Sequence, residues 1–577
     1  MNLKSLSKKI TIVDSNSSID ASIRLLSDNS KKVSYPGFCA VINQKNHLVG
    51  VITDGDIRRA YVKGVNFNNA VSEIMTTSPV TINANQLKHN LKSLVDFKIA
   101  QSNHISKSVR LVPVIDEQNI PIDIIDFLNS DTFDANKKNV AVFGLGYVGI
   151  TLAASLANIG HKVSGIDTNE EVIALLNNGK THVHEPGLVE MIRHNIKAKN
   201  LNIDSNLSLD NQIYIVAVGT PLDRNNKPNL SFLNEVLSTI VKRLKPGDHV
   251  MLRSTVPVGV TRKFVVPFLE NETKLSAGID FFVSFAPERT IEGDAMRELR
   301  SLPQIIGGFS EKCCDHGIKF WSTLTASVVK VSSLEAAELV KLANNTFRDI
   351  SFAFANELAL LGSKYNVDSF DLIQQANEGY PRNKIPLPSP GVGGYCLTKD
   401  PVLFSCDING SRDDAVLGLA SRKINQMAGE YPIQILKRFS NIISKNLSEM
   451  KILIIGVAFK GVPDTNDTRG STSLDVFRSL KGKVSSIYGW DAVIQQELLQ
   501  SLGFEKYTDI GKVINNVDAI LILNNNPKNI ISSIYDISHK DRRVLIFDGW
   551  HQFDRLDIER NKNLIYSTMG YLSDSIH

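Results

Sequence analysis

One cysteine in this sequence lies where a chain would present a reactive thiol. Residues 391–401 read GVGGYCLTKDP, so three of the four residues 391–394 are glycine, and Asp400 follows Cys396 by four positions. Glycines remove the side chains that keep a substrate from the backbone, and they permit a positive φ just before the thiol. If Cys396 opens a helix, Asp400 shares its face and the helix dipole lowers the pKa of the thiol. We predict a nucleophilic cysteine; the simpler interpretation is a buried small residue in a turn.

A long predicted helix supplies further polar groups. From a capping box at Ser332 and Glu335 to Leu361 there is no Gly or Pro, so about 29 residues could extend roughly 43 Å. Apolar residues occupy nearly every face, which predicts burial between domains or subunits. Lys341 and Asn345 interrupt that pattern at i and i+4, and such buried polar groups need either a ligand or each other as partners.

A glycine-rich loop follows the first strongly apolar strand. Residues 144–149 read GLGYVG between a β run and an apolar helix, and a second strand ends at Asp167, 18 positions after Gly149. This βαβ context indicates a dinucleotide site, where the helix N-terminus meets a pyrophosphate and the carboxylate accepts ribose hydroxyls. Asp167 favours NAD over NADP, because a 2′-phosphate would meet like charge.

Further apolar strands deliver polar residues to the same crevice. They end at residues 219–221 (Gly-Thr-Pro), 254–256 (Ser-Thr-Val) and 287–289 (Pro-Glu-Arg), as expected of buried parallel strands whose carboxyl ends face a ligand. The predicted cofactor-binding residues are Gly144, Gly146, Tyr147, Val148, Gly149, Asp167, Thr220 and Thr255. A second α/β unit begins near residue 451 and lacks GxGxxG, so we expect it to bind the diphosphate of a substrate instead of a second NAD.

Composition excludes several classes of function. The 577 residues are 42% hydrophobic and 21% charged with a net charge of +4, which gives no basic surplus for nucleic acid or a membrane surface. The first ten residues lack a signal-peptide core and no apolar run approaches about 18 residues, so we expect a cytoplasmic protein. Five cysteines without CxxC spacing predict neither a disulfide framework nor a bound metal.

Residues 1 to about 130 read as a short α/β unit repeated in outline. A strand at 10–13 and a helix at 19–26 precede a predicted hairpin at 39–42 and 48–52, and a similar hairpin follows at 111–115 and 120–125. The segment resembles a tandem CBS pair, an adenine-nucleotide-sensing module. The resemblance implies ribose contacts at Thr53 and Asp56 and a phosphate contact at Arg58, whereas the second copy lacks the motif. A purely structural dimerisation module is the alternative.

The remaining motifs together resemble the UDP-sugar 6-dehydrogenase family over about residues 138–577. They are the glycine loop with Asp167, residues 219–221, residues 254–256, residues 287–289, Lys341 with Asn345, Gly393-Gly394-x-Cys396 with Asp400, and Lys460 with Arg469. The resemblance implies that Cys396 is the catalytic thiol, that Lys341, Asn345 and Asp400 surround the reacting C6 oxygen, and that Glu288 assists hydrolysis. It also implies substrate contacts at Arg382, Gly393, Lys460 and Arg469.

The function implied is NAD-dependent, four-electron oxidation of the C6 hydroxyl of a UDP-sugar to the uronic acid, for surface polysaccharide precursors. The thiol is needed because an aldehyde yields a hydride only after a nucleophile makes its carbon tetrahedral. The residues around Cys396 look more like the N-acetylhexosamine branch than the UDP-glucose branch. The alternatives are a UDP-glucose 6-dehydrogenase, a two-electron hydroxy-acid dehydrogenase and a non-catalytic nucleotide sensor.

The predicted fold class is α/β. Two Rossmann-like doubly wound domains are joined by a long central helix and preceded by the CBS-pair module. The predicted domains are 1–130 (CBS pair), 138–325 (NAD binding), 326–435 (central helical dimerisation and catalysis) and 436–577 (UDP-sugar binding). With two dimerising elements, we expect a homodimer or a higher homo-oligomer.

Overall fold

The computed structural model divides the chain into two units, residues 1–137 and 138–577. It describes residues 6–7, 9–29, 32–33, 35, 37–53, 56–57, 60–61, 64–85, 111–126, 137–207, 210–325, 327–382, 384–407, 415–535, 537 and 542–573. The predicted phosphate contact at Arg58 and most of the predicted linker at 131–138 lie outside these residues.

The described residues of the N-terminal unit form two sheets built on the same plan. One sheet has the order β1-β2-β3-β4 and the other β5-β6-β7. The strands are β1 (Thr11–Asp14), β2 (Phe38–Ile42), β3 (Leu48–Thr53), β4 (Thr76–Thr77), β5 (Ile82–Asn83), β6 (Leu111–Ile115) and β7 (Pro121–Asp126), and helix α1 is Ile19–Asn29. In each sheet a parallel pair, β1 with β2 or β5 with β6, is followed by an antiparallel hairpin, so the predicted repeat and both predicted hairpins are present.

The two hairpins of this unit share a core. Leu48 and Val51 of β3 pack in one hydrophobic cluster with Ile124 of β7. The backbone N–H of Leu48 donates to the carbonyl of Asn119 at 2.9 Å, and the Asn119 side chain donates back to the Leu48 carbonyl at 3.1 Å. These reciprocal bonds satisfy the polar backbone where the two halves meet.

The larger unit begins with a sheet in the order β10-β9-β8-β11-β12-β13-β14-β15. Its strands are β8 (Asn139–Phe143), β9 (Lys162–Ile166), β10 (Leu201–Asp204), β11 (Ile213–Val216), β12 (His249–Leu252), β13 (Phe282–Phe285), β14 (Gln304–Gly308) and β15 (Val328–Lys330). The six strands β8 to β13 are mutually parallel, and their order β10-β9-β8-β11-β12-β13 is typical of dinucleotide-binding folds. Strand β14 is antiparallel to β13. Strand β11 is buried throughout, which explains its unbroken apolar sequence.

Helices cover both faces of this first sheet and continue into the centre of the unit. They are α2 (Tyr147–Asn158), α3 (Glu170–Asn177), α4 (Leu188–Lys197), α5 (Ser231–Ile240), α6 (Val266–Thr273), α7 (Ala295–Ser301), α8 (Glu311–Trp321), α9 (Leu334–Gly362), α10 (Ser369–Asn377), α11 (Tyr395–Phe404) and α12 (Val416–Ile442). Helix α9 joins the two cores, because Leu334 and Ala337 pack in a cluster of the first sheet and Ala359 packs in a cluster of the second.

One expectation for α9 needs correction. The N-cap is Ser333, whose Oγ accepts the N–H of Ala336 at 3.1 Å, and not the predicted box that starts at Ser332. The carboxylate of Glu335 pairs with Arg262 at 2.5 Å. In the single chain Phe347 exposes 71% of its surface, so the burial of this face between subunits stays a prediction.

The second sheet has the order β17-β16-β18-β19-β20-β21 and is parallel except for β21. The strands are β16 (Lys451–Ile455), β17 (Ser486–Trp490), β18 (Ala519–Ile522), β19 (Val544–Asp548), β20 (Leu564–Thr568) and β21 (Tyr571–Leu572); the helices are α13 (Thr472–Leu480), α14 (Gln496–Ser501), α15 (Ile510–Ile514) and α16 (Arg555–Glu559). Among the described helices, none has the length and apolar content that crossing a bilayer requires.

Candidate active site

A cavity of about 560 Å³ opens where the carboxyl ends of the first sheet face α9, α11 and the loop after β16. Most of the sequence motifs meet in its wall. The predicted site residues that line it are Gly146, Tyr147, Val148, Thr220, Thr255, Glu288, Lys341, Asn345, Gly393, Cys396, Lys460 and Arg469. Residues separated by more than 300 positions in sequence therefore surround one space.

Cys396 lies in the first turn of α11, as the sequence predicts. The helix begins at Tyr395 after Gly394, which has φ +91°. A Cβ on Gly394 would lie 2.8 Å from the ring of Phe459, so both the backbone conformation and the space require glycine. Cys396 is exposed toward the cavity, whereas Cys39, Cys313, Cys314 and Cys406 are buried.

The expected lowering of the thiol pKa is wrong. Burial raises the pKa of Cys396, the Asp400 carboxylate raises it further, and Lys341 and Lys399 offset only part of the effect. The thiol lines the cavity, and the protein atoms packed around it disfavour the charged thiolate. A base or a bound substrate must therefore assist its deprotonation.

Asp400 is fully buried beneath the thiol turn and does not line the cavity. Its Oδ2 accepts a hydrogen bond from Asn345 Nδ2 at 2.6 Å, and its Oδ1 accepts one from Lys399 Nζ at 2.8 Å. Burial alone lowers the pKa of Lys399, but the Asp400 charge outweighs this and the pKa is raised. Asp400 thus fixes two cavity groups, Asn345 and Lys399, at a carboxylate that is never in contact with solvent.

Lys341 lies one turn before Asn345 on α9 and contributes a cation to the cavity. It is 8% exposed, and among the described residues it makes neither a hydrogen bond nor an ion pair. Its charge offsets part of the rise in the pKa of Cys396, and it adds to the effects that lower the pKa of Glu288. A buried ammonium with three donors to spare is suited to hold an oxyanion.

Glu288 lines the cavity with a carboxylate that is already held. Its Oε2 accepts from Arg253 Nε at 3.0 Å and Nη2 at 2.5 Å, while its Oε1 accepts the backbone N–H of Arg289 and of Thr290, each at 2.7 Å. Burial raises the pKa of Glu288, but the Arg253 charge and these bonds outweigh it, so the pKa lies below its usual value. Glu288 is therefore ionised at neutral pH.

The glycine loop after β8 has the features of a dinucleotide cradle. A Cβ on Gly149 would lie 1.7 Å from the Gly144 carbonyl oxygen, so the loop closes this tightly only with glycine. The carboxylate of Asp167 accepts the N–H groups of Leu145 at 2.7 Å and Asn169 at 2.9 Å, and each oxygen keeps a lone pair for a ribose hydroxyl. These residues fit NAD, with the N-terminus of α2 toward the pyrophosphate.

Other cofactor-site residues tie this loop to its surroundings. Thr220 donates its hydroxyl to the Thr255 carbonyl, which joins the ends of β11 and β12. Tyr147 donates to Glu185 at 2.5 Å and accepts the N–H of Gly293 at 3.1 Å. The cofactor loop is thereby connected to the segment that follows Glu288.

Basic groups from the loop after β16 close the opposite wall. Lys460 Nζ donates to the carbonyl of Glu292 at 2.7 Å, and Arg469 pairs with Asp467 at 2.6 Å and with Glu292 at 3.8 Å. Burial raises the pKa of Glu292, and the neighbouring Asp467 adds to the rise. The wall thus carries two cations that a diphosphate would attract.

The predicted substrate contact Arg382 is not among the residues that line the cavity. Arg382 is exposed, and its guanidinium lies 5.4 Å from the ring centroid of Tyr380.

The predicted effector residues of the N-terminal unit contact each other. Asp56 Oδ2 accepts both the N–H of Thr53 at 2.8 Å and its hydroxyl at 2.7 Å. The two groups predicted to hold a ribose therefore hold each other.

Several residues that line the cavity were not predicted from the sequence, and three of them are Lys399, Arg253 and Glu292. Lys399 precedes Asp400 directly, Arg253 directly precedes the 254–256 motif, and Glu292 follows Glu288 by four positions. Each lies next to or near a predicted motif, which is the signal that could have found them. Arg253 pairs with Glu288, 35 positions away, and Glu292 pairs with Arg469, which is much farther along the chain. Sequence spacing alone does not reveal such pairs.

Family models match most of the chain. The UDP-glucose/GDP-mannose dehydrogenase models match as the NAD binding domain over residues 138–325, the central domain over 335–427 and the UDP binding domain over 453–555. A CBS domain model matches residues 3–63.

Similar proteins are dehydrogenases of nucleotide sugars. A UDP-N-acetyl-D-mannosamine dehydrogenase of Pyrococcus horikoshii is 33% identical over 71% of this chain and 94% of that protein. An NDP-N-acetyl-D-galactosaminuronic acid dehydrogenase of Ralstonia nicotianae is 28% identical over 76% and 97%. The solved structure of the Pyrococcus horikoshii UDP-D-ManNAc dehydrogenase superposes with a TM-score of 0.67 at 31% identity, covering 75% of this chain and 99% of that one.

Proposed function

The chain belongs to the UDP-glucose/GDP-mannose dehydrogenase family, and on that premise we propose that it oxidises the C6 hydroxyl of a UDP-N-acetylhexosamine to the uronic acid with NAD. The observation that carries the proposal is the cavity in which Cys396 faces Lys341 and Asn345 beside the glycine loop. The names of the two relatives, which act on N-acetylated sugar nucleotides, favour such a sugar over glucose.

The first oxidation converts the alcohol to an aldehyde. The chemistry that NAD supplies when bound is acceptance of a hydride from the sugar carbon. The hydroxyl oxygen becomes more anionic as its proton leaves, and the ammonium of Lys341 stabilises that charge. Asn345 uses one N–H for Asp400 and keeps the other for the same oxygen. We assign Asp400 a positioning role, because its carboxylate reaches the cavity only through Asn345 and Lys399.

The second oxidation requires a covalent bond to Cys396. The sulfur adds to the aldehyde carbon, the thiol proton leaves, and the carbonyl oxygen becomes an oxyanion held by Lys341 and Asn345. Loss of the second hydride, to a second NAD, turns the oxyanion into the carbonyl of a thioester. Water then cleaves the C–S bond, which releases the carboxylate and one proton and restores the thiol. Glu288, ionised and held by Arg253, orients this water.

The loop after β16 supplies basic groups for binding the substrate. Lys460 and Arg469 line the same cavity as Cys396 and are suited to the diphosphate of a UDP-sugar. Gly393 allows the sugar to approach the backbone beside the thiol. Arg382 stays a predicted substrate contact that would come from a second subunit, since it is remote from the cavity lining in the single chain.

A panel of nucleotide sugars tests the proposal. Purified protein with NAD is given UDP-glucose, UDP-GlcNAc, UDP-ManNAc and UDP-GalNAc, and NADH is followed at saturating cofactor. We expect an N-acetylated sugar to be preferred by kcat/KM. Preference for UDP-glucose would overturn the assignment of the sugar, and absence of NADH with every sugar would overturn the activity.

We propose a homodimer formed through α9. Leu339, Phe347, Phe354 and Leu361 expose 43%, 71%, 50% and 51% of their surface at successive spacings of 8, 7 and 7 residues. A stripe that repeats every two turns is the pattern by which one helix packs against a second copy of itself. A second copy would also supply the Arg382 that is predicted to contact the substrate from a second subunit.

The N-terminal unit is proposed to bind an adenine nucleotide at Thr53 and Asp56. Their mutual hydrogen bonds would be exchanged for bonds to ribose hydroxyls, and the subunit arrangement would respond to the nucleotide. The domain division at 1–130, 138–325, 326–435 and 436–577 and a cytoplasmic location remain predictions. The matched family ranges support the division.

A further inference from the structure

The segment that leads to the thiol, residues 389–392, is held by side chains of the two long central helices. The Ser389 N–H donates to Asn356 Oδ1 of α9 at 2.8 Å. The carbonyl of Val392 accepts from Arg422 of α12, from Nη1 at 3.4 Å and from Nη2 at 3.3 Å. Ser389 Oγ donates to the Gly391 carbonyl at 2.8 Å, which stiffens the segment internally. Val392 is four residues before Cys396.

The groups that hold this segment converge on one carboxylate. Asp349 of α9 has no exposed surface, and its Oδ1 accepts from Arg422 Nη1 at 2.6 Å and from Asn425 Nδ2 at 2.8 Å. Its Oδ2 accepts from Ser421 at 2.7 Å. Asn425 in turn accepts from Asn356 at 2.9 Å, so the network returns to the residue that holds Ser389.

The stability of the fold does not explain this buried network of charged and polar groups. A buried ion pair contributes little net stability compared with apolar residues of the same volume, because both charges lose their water. Here the pair serves backbone atoms that no helix or strand pairs, in the segment just before the thiol turn. We propose that Asp349 and Arg422 are positioning residues that set the place of the Cys396 sulfur, a proposal that rests on the proposed function of Cys396.

The same helix also carries the groups that the sulfur must meet. Lys341, Asn345 and Asp349 follow one another at intervals of four on α9, so they lie along one side of a continuous helix. Lys341 and Asn345, which would hold the oxyanion, and Asp349, which holds Arg422, are thus fixed to the same helix. This arrangement sets the distance from Cys396 to Lys341 and Asn345 before any substrate binds.

The consequence is specific to the step that uses sulfur. Addition to an aldehyde requires the reacting atoms to lie about 3 to 3.5 Å apart, and a displacement of about 1 Å costs on the order of 100-fold in rate. Binding of the UDP moiety and of NAD does not depend on that distance. We call the hydrogen bonds from Asn356 and Arg422 to residues 389–392, together with the Asp349 carboxylate that holds Arg422, the clamp. Loss of the clamp therefore lowers kcat for acid formation and leaves the KM values nearly unchanged.

The reactivity of the free thiol should change in the opposite direction. The clamp holds Cys396 in the environment that raises its pKa, among the surrounding protein atoms and near the Asp400 charge. A released segment moves the sulfur out of that environment, and more of it ionises at a given pH. Because the other cysteines are buried, alkylation by iodoacetamide reports on Cys396 alone.

The test uses Arg422→Met, Asp349→Asn and the milder Ser389→Ala in the full chain. We expect alkylation about tenfold faster at neutral pH, acid formation about 100-fold slower for the first two variants, and KM within about twofold of the wild type. Arg422→Lys keeps the charge at Asp349 but loses the fork to Val392, so it should recover stability and only part of the rate.

Asp518→Asn is the matched control. Asp518, directly before β18, is also a buried carboxylate; it pairs with Lys445 at 2.9 Å and makes no bond to residues 389–392. It should lower the unfolding midpoint without accelerating alkylation. Clamp variants that match this control at equal loss of stability, or that react like the wild type, overturn the proposal. Failure of the wild type to oxidise any UDP-sugar counts against the proposed function alone, since alkylation still measures the clamp.

Discussion

Arg253→Met tests whether the Glu288 carboxylate depends on its buried partner. Arg253 is 2% exposed and gives Glu288 two hydrogen bonds, while its Nη1 donates to the Ala286 carbonyl and to Gln304, each at 3.0 Å. The guanidinium also lies 4.6 Å from the ring centroid of Trp321. Methionine fills part of the volume and removes every one of these donors.

The expected loss follows from the burial of the pair. Removing one partner of a buried ion pair costs about 3 to 5 kcal/mol, because the remaining charge is uncompensated. Arg262→Met is the control, since the side chains of the Arg262 and Glu335 pair are 38% and 32% exposed and such pairs contribute about 0 to 1 kcal/mol. The two substitutions are chemically identical and differ in burial.

The pH dependence provides a second, signed result. In the wild type the depressed pKa of Glu288 contributes stability that is present above the unfolded-state pKa of about 4.3 and is lost as pH falls through the folded-state pKa. In Arg253→Met, burial raises that pKa, so protonation relieves the cost as pH falls. The stability difference between wild type and variant should therefore narrow from pH 7 to pH 5.

Urea unfolding followed by tryptophan fluorescence measures both effects, and Trp321 lies against the altered side chain. A loss no larger than that of Arg262→Met would show that the Glu288 carboxylate does not depend on Arg253. So would a difference that widens between pH 7 and pH 5.

The remaining predictions concern the thiol turn, the dimer and the N-terminal unit. Gly394→Ala should cost at least about 1 to 2 kcal/mol in urea unfolding and lower kcat more than tenfold, because φ is +91° and Phe459 blocks the new methyl; Gly482→Ala, at φ +76° in open space, isolates the backbone cost and should leave kcat unchanged. Phe354→Glu should shift the protein to monomer in analytical ultracentrifugation, while Ile279→Glu at an exposed residue away from α9 should not; a dimer in both would reject the α9 interface. Calorimetry of the full chain with AMP, ADP and ATP should show binding that Asp56→Ala abolishes, and no heat with the wild type would reject a nucleotide site at Thr53 and Asp56.

Local patterns were enough to predict the elements and the motif residues. The glycine loop with Asp167 needs only a strand, a turn and a helix within 30 residues, and the long run from Leu334 to Leu361 needs only the absence of helix breakers. Because parallel strands end at one edge of a sheet, the polar residues after β11, β12 and β13 could be expected to meet. The structure brings them to one cavity with Cys396.

What sequence could not supply depends on contacts between distant residues. The pKa of Cys396 rises because of burial and Asp400, whereas the helix dipole considered from sequence acts in the other direction. Glu288 is held by Arg253, 35 positions away, and the Val392 carbonyl is held by Arg422 of α12, 30 positions away. The exposed stripe of α9 depends on which faces the two cores cover, which helical periodicity alone does not determine.

The number of NADH formed per UDP-N-acetylhexosamine consumed, in the wild type and in Cys396→Ala, shows whether the sulfur carries the second oxidation. We expect two NADH and one uronic acid per sugar for the wild type, since each oxidation releases one hydride and the second requires the sulfur. Cys396→Ala should form no uronic acid. One NADH per sugar in the wild type would exclude a four-electron oxidation, and acid formed by Cys396→Ala would exclude the thioester.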